Sequence, residues 1–68
     1  MIKEIDLHGI KHHQVIDMVE NFVLTNEPPL RIITGQSIKM KEIVIRVLEE
    51  HKFNYAIPFF NQGVVMIL

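Results

Sequence analysis

The chain has no cysteine, no tryptophan, one tyrosine, three glycines and three prolines among its 68 residues. Without cysteine there is no disulfide and no thiolate to hold a metal. That is compatible with a reducing compartment. It also removes the usual staples of a short chain, which buries only about 60% of its unfolded surface. Packing must do the work instead, and a dimer is one open way to add to it. No repeat or low-complexity segment is present. No apolar run is long enough to span a bilayer, and Glu4 and Asp6 near the N-terminus exclude a signal peptide. The expectation is a soluble, cytoplasmic protein with no membrane partner. Nor is there an excess of cations: the net charge is −1 with histidines neutral. General attraction to nucleic acid is therefore absent, and any such binding needs a local patch.

What is present is apolar content, 49% of residues. That is ample for one core and argues against disorder. One domain, residues 1–68, is expected. Met1 to Leu7 reads as a strand with Ile2, Glu4, Asp6 and His8 on one face and Ile5 and Leu7 on the other. His13 to Thr25 reads as a helix. Val15, Met18, Val19, Phe22 and Val23 form its buried stripe, and Lys11 and His12 stand where a capping side chain is usual. Pro28-Pro29 ends it. Leu30 to Thr34 is a second strand, and Ile38 to His51 a second helix, with Ser37 as N-cap and Met40, Ile43, Val44, Val47, Leu48 and His51 as its stripe. Glu42 and Arg46 are spaced for an i, i+4 ion pair, and His51 is placed to act as a cation at the helix C-terminus. Asn54 to Pro58 is a third strand, Asn61-Gln62-Gly63 a turn, and Val64 to Leu68 a fourth strand without a polar residue.

The order β-α-β-α-β-β predicts an α+β two-layer sandwich. Right-handed crossovers make the first three strands parallel. The last runs antiparallel and, being apolar on both sides, belongs inside the sheet. The mixed four-stranded sheet then has order 1-2-4-3, with both helices on one face. The other face stays open, carrying the acidic side of strand one, apolar groups of strand four and Phe59 or Phe60 near its rim.

In that arrangement "DLHG" and "TGQS" leave the same edge of the sheet, each leading into a helix N-terminus. Free N–H groups and the positive end of the dipole favour an anion there. Gly9 and Gly35 permit close backbone approach, and Lys11, Lys39 and Lys41 lie on or beside the turns. The ligand this suits is a phosphate.

At these residues the chain resembles the Smr (small MutS-related) domain. That family shows an L-D-x-H-G element after its first strand and a T-G-x-G element after its second. Ile5-Asp6-Leu7-His8-Gly9 is similar to the first. Thr34-Gly35-Gln36-Ser37 is similar to the second, with serine at the last position. Ala56, Pro58 and the Asn61–Gly63 turn also look like the family. The resemblance implies the fold of the C-terminal domain of translation initiation factor three. It further implies binding of DNA or RNA, with nicking endonuclease activity in some members. Asp6 and His8 become the candidate catalytic groups. Gly9, Lys11, His12, Thr34, Gly35, Gln36, Ser37 and Lys39 become the candidate nucleic-acid contacts.

Each assignment has a plainer counterpart. Asp6 can orient or deprotonate water, or hold Mg²⁺ or Mn²⁺, and a histidine at position 8 can donate to a phosphate or leaving group. Taken as residues alone, the simpler role for Asp6 is to accept backbone N–H bonds and set the turn. His12 and His13 do not share a helix face, and no partner has zinc spacing, so no protein metal site is expected. Arg31 is a further candidate for the backbone. Phe59 and Phe60 can stack on bases, but such a pair more commonly caps a core or an interface, which is the favoured reading. The competing function is a non-catalytic module that dimerises or docks a protein through the open sheet face.

Overall fold

Period-2 alternation and the two helical stripes produce the expected architecture in the computed structural model, which describes residues 2–68. The elements are β1 (Lys3–Asp6), α1 (His12–Thr25), β2 (Leu30–Ile33), α2 (Ile38–Glu50), β3 (Tyr55–Ala56) and β4 (Val64–Ile67). The sheet order is β1-β2-β4-β3. β1 runs parallel to β2, with Asp6 opposite Ile33, and β4 runs antiparallel to both β2 and β3. The fold is α+β, as expected. Met1, the first residue of the expected strand, lies outside the described residues.

The strands are shorter than the sequence suggests, for local reasons. β1 gives way to a turn once the Asp6 side chain accepts the His8 N–H. β2 stops before Thr34, whose N–H turns to the carbonyl of Gly63. β3 is cut to two residues because the Pro58 nitrogen has no hydrogen to donate to a ladder.

Leu30, Ile32, Val65 and Ile67 point to one side of the sheet, where they meet Val15, Val19 and Val23 of α1 and Met40, Val44, Val47 and Leu48 of α2 in one buried cluster. Leu7 seals its end with no exposed surface. Between them, Arg31 and Ile33 of β2 and Met66 of β4 alternate to the opposite side and are only partly covered.

α1 starts at His12, one residue before the expected start, and α2 starts at Ile38 as expected. Lys11 caps α1 without a side-chain hydrogen bond, while Ser37 Oγ accepts the Met40 N–H at 3.1 Å. α2 ends in a Schellman arrangement. Lys52 N donates to Glu49 O at 3.1 Å and Phe53 N to Leu48 O at 2.9 Å. Lys52 itself takes the left-handed conformation, φ 60°.

Two expectations are corrected and one is extended. Glu42 and Arg46 do not pair: the ion pairs among the described residues are Arg31–Glu4 and His51–Glu20. Both Glu42 and Arg46 are exposed, where solvation and rotamer freedom offset so weak an attraction. His51 does more than complement its own helix end, since its Nε2 lies 3.1 Å from Glu20 Oε2 on α1. Phe59 and Phe60 cap no core. They are 89% and 81% exposed, because the short β3 ends before them and Pro58 turns them outward.

Candidate nucleic-acid interface

Two βα turns build the site, and each is held by one oxygen. In the first, Asp6 Oδ1 accepts the His8 N–H at 2.9 Å. Gly9 then takes φ 81°, and Ile10 N donates to Leu7 O at 3.0 Å. In the second, Gly63 O accepts from Thr34 N at 2.8 Å and from Gly35 N at 3.1 Å. Gly35 takes φ 68°. Gly63 is itself fixed by Asn61 Oδ1, which accepts its N–H at 3.1 Å. A Cβ on Gly63 would lie 3.4 Å from the Gly35 backbone, so the two glycines pack closely.

Because β1 and β2 are adjacent and parallel, the turns face each other across one open cleft of about 880 Å³. His8, Gly9, Ile10, Lys11, His12 and His13 form one wall; Thr34, Gly35, Gln36, Ser37 and Met40 form the other. Lys11 is a fixed cation there and the three histidines are potential ones. Among the described residues no carboxylate lines the cleft, although acids outnumber Lys and Arg in the whole chain. The first turns of α1 and α2 add their N–H groups. Two such donors are already used: Met40 N by Ser37 Oγ, and Gln14 N by Lys11 O.

Most of the sequence-derived candidates therefore converge, with four exceptions. Lys39 is not in the cleft. One residue past the start of α2 its side chain has rotated away, and it lines a groove with Ile16, Glu42 and Arg46 on the outer side of the helices. Thr34 borders the cleft but is 2% exposed, with its hydroxyl donating to Gly35 O at 3.1 Å; it shapes the loop and offers no free donor. Asp6 does not line the cleft. It adopts the turn-setting role foreseen for it, with one carboxylate oxygen committed to His8 N. Arg31, read as a further candidate, is paired across the strands with Glu4 at 2.9 Å. Asn61 and Gly63 were legible only as turn residues. Nothing in their spacing says that the turn they build braces the Gly35 loop.

Among the described residues, no three His, Asp or Glu side chains come together to hold a metal. No helix is long and apolar enough to cross a membrane. Comparison with protein-family models, with curated proteins and with solved structures returns no match. The likeness to the Smr domain rests on the two motifs and the element order.

Proposed function

We propose that the chain binds the phosphodiester backbone of DNA or RNA in this cleft, as an Smr-like domain. The observation that carries the reading is the gathering of Lys11, His8, His12, His13 and two helix N-termini in a cleft without a carboxylate, in a chain of net charge −1. A site this small neutralises about two phosphates. The logarithm of the binding constant for duplex should then fall with the logarithm of salt with a slope of about −2. Binding should be weak at physiological salt and lost on Lys11→Glu. Absence of salt-sensitive binding at low ionic strength sinks the proposal.

Nicking is the further step of the same reading. In this reading a water attacks the phosphorus as the ester P–O bond breaks; His8, which lines the cleft, would give the proton to the departing oxygen, and the free oxygen of Asp6 would take the proton of the water. The test is incubation with structured and single-stranded DNA and RNA, with and without Mg²⁺ or Mn²⁺. Products identical for wild type and Asp6→Asn would remove Asp6 from the chemistry. A second reading, docking of a protein on the open sheet face, is favoured by the partly uncovered Ile33 and Met66. It predicts that Met66→Lys abolishes an association that Lys11→Glu leaves intact.

A further inference from the structure

The open face of the sheet holds a second groove, of about 650 Å³. Its floor is apolar, made by Ile33, Val64 and Met66, and Phe60 stands on its wall. Gly35 and Gln36 border both this groove and the cationic cleft, so the two depressions are separated only by that loop. Phe60 is 81% exposed and meets Phe59 edge-to-face, with ring centroids 5.7 Å apart and planes at 84°. One of the chain's few aromatic rings is thus presented to solvent beside an apolar slot.

We propose that this groove receives an unpaired nucleobase stacked on Phe60 while the adjoining phosphate lies in the cleft across the Gly35–Gln36 loop. The preferred ligand of the domain is then single-stranded nucleic acid. This rests on the backbone-binding reading above and adds the substrate class to it. Three features favour a base over a second copy of the chain. The exposed apolar surface on this side is concentrated in the phenylalanine turn, since Phe59 and Phe60 are mostly exposed whereas Ile33 and Met66 are only partly so and Val64 is 8% exposed. A flat dimer patch of about 800 Å² per partner is a different kind of surface. The groove adjoins the phosphate cleft, as a nucleotide's base adjoins its phosphate. Arg31, the cation among the described residues lining the groove, is already matched by Glu4, so the groove has no net demand for a charged side chain. A planar ring offers what a protruding phenylalanine takes up best.

The experiment uses three fluorescein-labelled probes: an oligothymidine of about a dozen nucleotides, the same backbone carrying abasic sites throughout, and a duplex of equal length. Anisotropy at low salt should show wild type preferring oligothymidine to both others. Phe60→Ala should weaken oligothymidine binding about tenfold, in keeping with the loss of one stacked base. It should leave the abasic probe unchanged. Lys11→Glu should weaken both. Because the chain has no tryptophan, Phe60→Trp supplies a single reporter whose emission oligothymidine should quench and the abasic probe should not. Equal binding of oligothymidine by wild type and Phe60→Ala, with Lys11→Glu still harmful, overturns the base site and leaves the backbone site standing. Salt-independent or absent binding of every probe overturns both. A concentration-dependent dimer in sedimentation velocity that Phe60→Ala dissociates assigns the ring to a second copy and overturns the proposal.

Discussion

Asp6 has two separable jobs, and a pair of substitutions divides them. Its Oδ1 accepts the His8 N–H at 2.9 Å, while any part in cleavage would use the carboxylate's charge. Asp6→Ala removes both; Asp6→Asn keeps an oxygen acceptor in the same place and removes only the charge. A side chain that satisfies a turn N–H in this way is worth about 1 kcal/mol. With an unfolding entropy of roughly 2.1 cal/mol/K per residue, the 68 residues give about 0.14 kcal/mol per kelvin. Asp6→Ala should therefore lower Tm by about 7 °C, and Asp6→Asn by less than about 3 °C. Thermal unfolding followed by far-ultraviolet circular dichroism measures this. The nicking assay is run on the same preparations below both midpoints. Asp6→Asn should retain salt-sensitive binding, since Asp6 does not line the cleft, and should lose nicking if the carboxylate acts in it. Should the two variants melt together, or Asp6→Ala melt with wild type, the turn is not held by this bond. Should Asp6→Asn nick at the wild-type rate, the carboxylate has no chemical role.

Other consequences follow from backbone and packing. Lys52→Gly relieves a left-handed lysine and should raise stability by about 1 kcal/mol, read as a rise in Tm. Gly35→Ala, where an added Cβ meets nothing within 4 Å, should cost about 1 kcal/mol from backbone strain alone. Gly63→Val, whose Cβ would touch the Gly35 backbone at 3.4 Å and whose two methyls need room at a buried position, should cost more, about 1–3 kcal/mol. Equal melting of these two variants would contradict the close approach. The Tyr55 hydroxyl donates to Glu49 Oε2 at 2.9 Å, and that bond, with lesser contributions from desolvation and the carboxylate's charge, holds the phenol above its ordinary value. Tyr55 is the sole tyrosine, so absorbance near 295 nm follows it directly, and Glu49→Gln should bring its titration down. A raised folded value means the contribution to stability is present below the ordinary tyrosine range near 10. It is lost as pH rises through the folded value. Ile32→Ala, at a fully buried centre of the sheet, should cost about 2–5 kcal/mol. For a domain of this size that leaves little folded protein at room temperature.

The fold was readable because its determinants are local and periodic. The valines of α1 at 15, 19 and 23 can only be one face of a helix, and the unbroken apolar run Val64–Leu68 can only suit the inside of a sheet. Those two facts, with the handedness of crossovers, point to the order 1-2-4-3 once the fourth strand is set inside the sheet. The convergence of Asp6–Gly9 and Thr34–Ser37 follows from that order. What failed to read were directions and partners. Lys39 stands beside Ser37 in the chain, yet helical rotation sends it to another surface. Arg31 looked like a free cation until the register set it opposite Glu4. Glu42 and Arg46 had the right spacing but not the burial that makes such a pair worthwhile.

By itself, then, the sequence determined the elements, their order and the edge on which the two glycine turns meet. These depend on periodicity and chirality, which every residue reports about its own neighbourhood. Only the tertiary structure decided that Gly63 braces the Gly35 loop, that Asp6 is spent partly on its own turn, and that Phe60 stands uncovered beside an apolar groove. Each of these depends on where a side chain or carbonyl from a distant segment arrives. Distances across a fold are the product of all the packing at once, and no local pattern carries them.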